Sequence, residues 1–410
     1  MIKKILKNKY TPYIIFLLYL IVIHSFTYVA ASDDITYAHV LDKMSVLDAV
    51  KYRYKTWASR AIIEAVFFKL LTLNPVIWKV LDVIMCMWIF YSLSKLIKVE
   101  GKIQYILLLL CIVYPASDMT SAGYIATTTN YIFPLAFLLY SFVILQKKLE
   151  NRKVYIWEWF IAVICLLYGC NQEQYTPVVV ATLILTFIYE IVSKKKINVL
   201  CLLMIIVSVA ELIFILTCPG NGERLIEECK RFITNFAVLN LFDKLRLGLM
   251  ETMNVFLCST SNLFLIFSIV LAVCMYVKTK SFKRLTISLT PLIGILLFNY
   301  NNAFENTKYA KYLGDAVLTY KNFTSISVYW RYAIYIFICL IIILSFYLYF
   351  NSIKQASIVS WIFIMGIGAR MILGFSPTLY VSGLRTFLIT YVAIVVITTL
   401  IIKELTPSPK

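Results

Sequence analysis

Long apolar segments are the feature that most constrains the fold of this chain. Segments of about 17–22 apolar residues recur from one end to the other, and each is long enough to cross roughly 30 Å of hydrocarbon as an α-helix. Hydrophobic residues make up 61% of the 410 residues, whereas soluble globular proteins contain about 45–50%. One buried core cannot hold this excess, so the sequence predicts an all-α polytopic membrane protein.

Basic residues set the predicted topology. The net charge of +18 is concentrated in short runs between apolar segments, such as KKILKNK, SKKKIN and KTKSFKR. Such runs mark cytoplasmic loops and require no nucleic-acid partner, so we expect none. Placing them inside the cell predicts twelve spans in the cell membrane, with both termini cytoplasmic. The predicted spans lie near residues 13–31, 76–96, 103–116, 131–146, 154–170, 176–192, 199–217, 263–277, 285–300, 332–350, 358–375 and 386–402.

The first apolar segment also resembles a secretory signal, because it follows a basic stretch and ends in the small residues VAAS. It is longer than the usual signal and contains Tyr and His, so we interpret it as an uncleaved first span. The ten cysteines show no metal-ligand spacing and lie mostly in apolar runs, where a thiol packs as a small hydrophobe. A disulfide between Cys218 and Cys229, which flank a polar loop, stays open as an alternative.

Connections on the predicted outer side are long. Residues 32–75, 218–262 and 301–331 form three such connections, whereas most inner ones have about five to eight residues. Because loops on a rigid scaffold commonly carry function, we expect the chemistry at the extracytoplasmic face. In the first connection, MSVLDAVKYRYKTWASR and RAIIEAVFFKLLTLN have near-helical spacing of apolar residues. This spacing predicts amphipathic helices in the membrane interface, although short solvated helices fit it equally.

Two adjacent carboxylates, Asp33 and Asp34, follow the first span directly. Carboxylates at this boundary can act as a general base, orient an acceptor hydroxyl or hold a divalent cation. Asp is also a good N-cap, and capping of the following helix is the simpler interpretation on spacing alone.

Further polar residues gather at the outer ends of other predicted spans. The candidate substrate-binding residues among them are Asn130, Tyr131, Glu173, Asn221, Arg224, Arg370, Tyr380 and Arg385. Arginine binds phosphate through paired hydrogen bonds and stays charged, so arginines beside acids suggest an anionic substrate next to an acid/base group. We expect Arg224, Arg370 and Arg385 to line one cavity and bind phosphate.

The charged residues Asp82, Glu211 and Arg370 lie inside predicted spans. A charge is costly there, so Arg370 indicates function, with snorkelling of its side chain to the outer interface as the alternative. Asp82 and Glu211 are explained by polar contacts between helices, and we assign them no catalytic role.

These motifs together resemble GT-C-type glycosyltransferases that use polyprenyl-phosphate sugars, in particular a bacterial multi-pass membrane family of unknown function. The family pattern "DD" followed by "Y..W..R" is matched by Asp33, Asp34, Tyr54, Trp57 and Arg60. The patterns "NY..PL" and "PGN..R" are matched by Asn130, Tyr131, Pro134, Leu135, Pro219, Gly220, Asn221 and Arg224. Glu173 matches an acid after the fifth span, although Gln172 stands where the family often has a basic residue or His.

The resemblance covers residues 12–235 and, later in the chain, only 370–387. It implies a single membrane domain with a GT-C-like catalytic module (about 12–240) and a more variable transmembrane module (about 241–410). It also implies inverting transfer of a sugar from a polyprenyl-phosphate donor to a cell-surface glycan or glycolipid at the outer face. One aspartate, with Asp34 slightly preferred, would deprotonate the acceptor hydroxyl, and arginines including Arg60 would bind the phosphate. A divalent cation at the acid pair is the one cofactor considered.

Two other functions stay open. A lipid-linked glycan transporter would place charges near the bilayer midplane and show repeats between its halves, and we find no convincing repeat. A polysaccharide polymerase or ligase would carry a large outer loop in its C-terminal half. The connection 301–331, with Lys308, Lys311, Lys321 and Arg331, keeps this second alternative open.

The predicted topology can be tested by labelling a single cysteine. In a variant without the ten native cysteines, Thr36→Cys should react with a membrane-impermeant thiol reagent added outside the cell, because the basic runs place the acid pair outside. Labelling of position 36 from the cytoplasmic side alone would contradict the whole scheme.

Overall fold

The computed structural model describes residues 8–27, 31–114, 122–233, 236–259, 261–303 and 325–406. This part of the chain is predominantly helical and contains no β-strand, which confirms the predicted all-α class. Its α-helices are α1 (Thr11–Phe26), α2 (Ser32–Thr36), α3 (Val46–Thr56), α4 (Ala61–Leu71), α5 (Pro75–Ile97), α6 (Lys102–Ile112), α7 (Tyr124–Thr127), α8 (Phe133–Leu149), α9 (Ile156–Cys170), α10 (Thr176–Lys194), α11 (Val199–Leu216), α12 (Gly220–Arg231), α13 (Leu241–Leu257), α14 (Asn262–Thr279), α15 (Phe282–Ser288), α16 (Thr290–Ala303), α17 (Ile326–Tyr349), α18 (Ile353–Met371) and α19 (Leu388–Leu405). A π-helical turn, Thr128–Ile132, joins α7 to α8.

Eight helical segments within the described ranges are long and apolar enough to cross a membrane. They are Pro75–Ile97, Tyr124–Leu149, Thr176–Ser193, Val199–Leu216, Asn262–Thr279, Ile326–Tyr349, Ile353–Phe375 and Leu384–Leu405. A further pair, Phe282–Ser288 and Thr290–Asn299, is bent by 43°, and α1, α6 and α9 are shorter apolar helices. Each predicted span falls on one of these segments. The polytopic helical architecture is therefore confirmed, and the number of helices that cross stays a prediction.

Helices also form at both stretches predicted in the first connection. Ser45 accepts a hydrogen bond from the backbone N–H of Asp48 and caps α3, and α4 buries Ile63, Phe67 and Phe68. The predicted connection 301–331 differs from the structure at its end, because α17 begins at Ile326. Its Lys308, Lys311 and Lys321 lie outside the described residues.

Contacts divide the chain into two compact units. The first comprises residues 1–228 and 383–388, and the second comprises residues 229–382 and 389–410, whereas the sequence suggested a boundary near 240. In the first unit, α8 packs against α5 and α9, and α11 packs against α9 and α10. In the second unit, α13 packs against α16, α17 and α18.

A buried polar pair fixes α1 to α5 in the first unit. His24 Nε2 lies 2.8 Å from Asp82 Oδ2, and His24 Nδ1 lies 2.8 Å from the carbonyl oxygen of Leu20. A carbonyl can only accept, so Nδ1 carries a proton and donates it. The interpretation of Asp82 as a polar contact between helices is confirmed. Glu211 makes a similar contact, since its Oε2 accepts from Asn171 Nδ2 at 3.4 Å.

Arg331 belongs to the interior of the second unit and not to a loop. It is 1% exposed, and its Nε donates to the hydroxyl of Tyr335 at 2.7 Å. That hydroxyl in turn donates to Asn254 Oδ1 at 2.6 Å. The helix α17 thus begins six residues before the predicted span at Tyr332, and carries Arg331 into the protein.

The disulfide alternative is contradicted, because neither Cys218 nor Cys229 forms a disulfide. Cys218 Sγ instead donates to the backbone oxygen of Tyr54 at 3.1 Å.

Loss of the buried pair should loosen the first helix. Asp82→Ala leaves His24 Nε2 without its partner, so we expect a stability loss of about 1–3 kcal/mol, measured as a lower midpoint of thermal unfolding in detergent. Asp82→Asn should retain most of the stability, because an amide N–H can donate to the Nε2 of a neutral imidazole. The half-exposed Ile84→Ala on the same helix is the control. A wild-type midpoint for Asp82→Ala would show that the pair does not hold the helices together.

Candidate active site

Asp34 caps a helix that begins about ninety residues later in the chain. It is 3% exposed, and its Oδ2 and Oδ1 accept from the backbone N–H groups of Ile125 and Ala126 at 3.0 and 2.8 Å. The first N–H groups of a helix have no partner within it, so Asp34 satisfies the start of α7. Burial raises the pKa of Asp34 to about 6, although these hydrogen bonds oppose the rise. Capping was foreseen, but the capped helix is α7 and not the helix that follows the acid pair.

Gly123 allows this close approach. Its φ is +99°, and a Cβ at this position would lie 2.6 Å from Asp34 Cγ and 2.8 Å from the carbonyl oxygen of Ala31. Only glycine has both the required backbone conformation and the space. The N–H of Asp33 also donates to the carbonyl oxygen of Ala122 at 3.1 Å. The two segments are therefore joined through backbone and side chain together.

Asp33 has the opposite environment to its neighbour. Its side chain is exposed, and no hydrogen bond to its carboxylate occurs within the described ranges. Partial removal from water raises its pKa, and the charges of Arg385, Arg53 and Arg60 lower it again without cancelling the rise. The two adjacent aspartates therefore have different roles. Asp34 is buried and holds the start of α7, whereas Asp33 is an exposed carboxylate near positive charges.

Arg60 and Asn130 meet, as the sequence analysis expects of residues in one site. Arg60 Nη1 donates to Asn130 Oδ1 at 2.7 Å, and Asn130 Nδ2 donates to the carbonyl oxygen of Ala126 at 2.7 Å. The carbonyl oxygen of Ala126 also accepts from Thr129 Oγ1 at 3.3 Å. Both contacts lie beside the π-helical turn, in which the N–H of Phe133 bonds to the carbonyl oxygen of Thr128. Such turns are frequent at functional sites.

Glu173 binds two arginines from different parts of the first unit. Its Oε2 accepts from Arg224 Nη2 at 3.2 Å, its Oε1 accepts from Ser59 Oγ at 3.0 Å, and Arg60 Nε lies 4.0 Å from Oε1. Burial alone would raise the pKa of Glu173, but Arg224 and Arg60 outweigh this and lower it to about 2. Glu173 is therefore ionised and neutralises part of the charge of both arginines.

The N-terminus of α12, which carries Arg224, packs closely on the end of α3. A Cβ on Gly220 would lie 2.3 Å from the backbone nitrogen of Trp57. Asn221 Nδ2 donates to the carbonyl oxygen of Ile215 at the end of α11 with a distance of 2.7 Å. Asn221 thus ties α11 to α12, which is a structural contact, and its predicted substrate contact stays a prediction.

Arg385 and Tyr131 also lie in the first unit. Gln174 Nε2 donates to the carbonyl oxygen of Thr386 at 2.8 Å, so the turn Leu384–Phe387 that carries Arg385 is held beside the turn that carries Glu173. The backbone oxygen of Tyr131 accepts from the hydroxyl of Tyr175 at 3.1 Å. The side chain of Tyr131 is half-buried.

Arg370 and Tyr380 belong to the second unit. Arg370 is 1% exposed, so its side chain is enclosed by protein and does not snorkel to the interface. Its Nη2 donates to the carbonyl oxygen of Leu379 at 3.2 Å, and it interacts electrostatically with Glu251. Tyr380 is 37% exposed. A cavity shared by Arg370 with Arg224 and Arg385 stays a prediction.

Sequence reasoning missed Arg53 and Glu64, which form a paired ionic contact beside the acid pair. Arg53 Nε and Nη2 donate to Glu64 Oε2 and Oε1 at 3.1 and 3.2 Å. The two residues lie on α3 and α4 and look like the charged positions of ordinary amphipathic helices. A charge on the apolar stretch AIIEAVFF was the available signal.

A divalent cation fits poorly at the acid pair. Both Asp34 oxygens face backbone donors, and the charges nearest Asp33 are guanidinium groups. No cluster of three metal-ligating side chains occurs in the described part of the chain.

No family model, curated protein or solved structure matches this chain. The glycosyltransferase resemblance therefore rests on the sequence motifs alone.

Glu173→Gln should destabilise the protein in a pH-dependent way. Two arginines lose their shared counter-charge in a partly exposed site, so we expect a loss of about 2 kcal/mol at neutral pH, between surface and buried pairs. The folded pKa lies below the unfolded value of about 4.3, so the charge of Glu173 stabilises fully above that value, and this stabilisation is lost as the pH falls towards 2.

The measurement compares thermal unfolding midpoints of the wild type and the variant between pH 7 and pH 3. The difference should be constant at higher pH and shrink below about pH 4. Glu100→Gln, at an exposed position, should give no difference. A gap between wild type and Glu173→Gln that persists undiminished at pH 3 would contradict the ion-pair explanation.

Proposed function

We propose that this chain is a membrane glycosyltransferase that transfers a sugar from a polyprenyl-phosphate donor to a glycan or glycolipid acceptor at the outer membrane face. The observation that carries the proposal is Asp33, an exposed carboxylate on the short helix α2 that follows the first apolar helix, on which the charges of Arg385, Arg53 and Arg60 act. A general base beside cations suits a reaction in which a hydroxyl loses a proton while a phosphate leaves.

The geometry moves the proposed base from Asp34 to Asp33. Asp34 uses both oxygens to cap α7 and is buried, so a substrate hydroxyl could reach it only by breaking that cap. Asp33 is on the same turn of helix and is open to an acceptor. A base must come within about 2.6–3.2 Å of the hydroxyl it deprotonates.

In the proposed reaction, Asp33 takes the proton of the acceptor hydroxyl. The oxygen attacks the anomeric carbon from the side opposite the phosphate, and a new glycosidic C–O bond forms with inversion. The C–O bond to the phosphate breaks, and the polyprenyl phosphate leaves with the electron pair. Arginines stabilise the negative charge on the leaving phosphate, because charge-assisted hydrogen bonds are strong in a site shielded from water.

Arg60 and Arg224 are the proposed phosphate ligands in the first unit. Arg60 Nη2 has no hydrogen-bond partner among the residues that the structure describes, although Nη1 is held by Asn130. Arg224 binds Glu173 through Nη1 and Nη2 at 3.5 and 3.2 Å, so a donor phosphate would replace part of an existing ionic contact. Arg385 supplies a further charge from the turn Leu384–Phe387.

One observation favours a second candidate, a lipid-linked glycan transporter. His24 and Asp82 form a buried polar pair between α1 and α5, and intramembrane ionisable pairs are common in proton-coupled transport. We prefer the glycosyltransferase because the larger charged cluster gathers at helix ends and connections. Loss of transport without loss of transfer in Asp82→Asn would favour the second candidate.

Asp33→Asn should abolish transfer in a folded protein. The amide keeps the shape of the carboxylate but cannot accept a proton, so we expect a fall of about 10²–10⁴-fold in rate. The measurement is the release of polyprenyl phosphate from a panel of labelled polyprenyl-phosphate hexoses by membranes containing the protein, together with mass spectrometry of the surface glycan.

Asp34→Asn serves as the contrasting variant. Its amide nitrogen would face a backbone N–H in place of an accepting oxygen, so we expect a stability loss of about 1–3 kcal/mol and lower membrane abundance, with residual activity per folded molecule. Near-normal transfer by Asp33→Asn at matched abundance would overturn the assignment of the base.

A further inference from the structure

Arg53 is held in one orientation by contacts on three sides. Its fork binds both oxygens of Glu64 at 3.1 and 3.2 Å, and its Nη1 donates to the hydroxyl of Tyr37 at 2.9 Å. The guanidinium also lies over the rings of Tyr37 and Trp57, 4.9 and 5.6 Å from their centroids. A paired fork with aromatic stacking fixes a guanidinium in a way that lysine cannot reproduce.

These contacts place the charge of Arg53 next to the helical turn of Asp33. The N–H of Tyr37 bonds to the carbonyl oxygen of Asp33 at 3.0 Å, so the two residues are one turn apart, and Arg53 is bound to the side chain of Tyr37. Electrostatic coupling between Arg53 and Asp33 follows from this arrangement. Arg53 touches the turn and not the reacting atoms.

Several other groups face Asp33 and must be counted. Asp34 is on its own helix and Tyr37 is one turn further on, Arg60 and Glu64 come from the start of α4, and Arg385 is on the turn Leu384–Phe387. Glu64 raises the pKa of Asp33, whereas the three arginines lower it. Glu64 by itself would favour the protonated form of Asp33. Because Arg53 is paired with Glu64, its positive charge offsets this effect.

We propose that Arg53 is a positioning residue for Asp33, and that the contact with Glu64 fixes the guanidinium where it keeps this carboxylate ionised. The inference rests on the proposed function only for its catalytic consequence, because the ionisation of Asp33 can be measured without any transfer reaction. A purely structural tether between α3 and α4 would stabilise the protein equally but leave the ionisation of Asp33 unchanged.

The experiment measures the ionisation of Asp33 directly. A hydrophobic carbodiimide reacts with protonated carboxyl groups, so labelling of Asp33 in nanodiscs, localised by peptide fragmentation in a mass spectrometer, falls as the pH rises through its pKa. In Arg53→Gln the midpoint of this curve should move upwards by roughly one pH unit, the lower end of the effect of a nearby opposite charge. Arg53→Lys keeps the positive charge but cannot form the paired contact with Glu64. Its midpoint should therefore lie between those of the wild type and Arg53→Gln.

Two further variants control for folding and for charge. Arg152→Gln removes an exposed arginine of the first unit that lies outside this cluster and should leave the midpoint unchanged. If Arg53→Gln does not insert, the double variant Arg53→Gln with Glu64→Gln retains a neutral hydrogen-bonded pair, and a smaller upward shift is expected. An unchanged midpoint in whichever of these two variants folds overturns the inference.

The pH dependence of the transfer rate is a second test of this inference. With Asp33 as the base, the acid limb of the rate-against-pH curve should move upwards in Arg53→Gln, and the rate should recover at high pH. A structural defect would lower the rate at every pH. If Asp33→Asn remains active while the labelling midpoint still shifts, the proposed base is wrong and the role of Arg53 in the ionisation of Asp33 stands.

Discussion

The bond from Asp34 to the start of α7 is the contact on which the arrangement of this site depends. It joins the segment after α1 to the helix that carries Asn130, across 91 and 92 positions of sequence. A buried carboxylate that accepts two backbone hydrogen bonds is costly to replace, and Gly123 is shaped to admit it. With this bond in place, Asp33 lies in the same unit as Arg60 and Glu173. Asn130 binds Arg60, and Glu173 binds both Arg60 and Arg224.

Much of the fold could be predicted because it depends on local patterns. Apolar length identified the helical segments that could span a membrane, and the near-helical spacing in the first connection identified α3 and α4. Two helices, α12 and α13, were missed, because they lie in residues 218–262, which were predicted to form an outer connection. The closeness of some site residues was also expected, since Asn130, Glu173 and Arg224 were grouped by their position at span ends, and the family resemblance added Arg60. Polar residues at helix ends are forced towards one surface by the apolar segments between them, and this makes their proximity predictable.

Other features depend on distances that no local pattern contains. The role of Asp34 requires knowing that the N-terminus of α7 lies beside it, and spacing suggested only the nearest helix. Arg53 and Glu64 resemble solvated charges of amphipathic helices until α3 and α4 are packed against each other. Snorkelling of Arg370 to the interface was one alternative, but its side chain is buried inside the protein. In each case the partner comes from a part of the chain that the motif does not include.

The opposite surroundings of Asp33 and Asp34 make the site sensitive to register. Consecutive residues on one helical turn point in different directions, so the same chemical group serves as an internal anchor at one position and as an accessible carboxylate at the next. Insertion of one residue within α2, directly before the pair, would rotate the two side chains by about 100° and present the wrong carboxylate to each environment. The register of the pair within α2 therefore matters as much as the presence of two carboxylates.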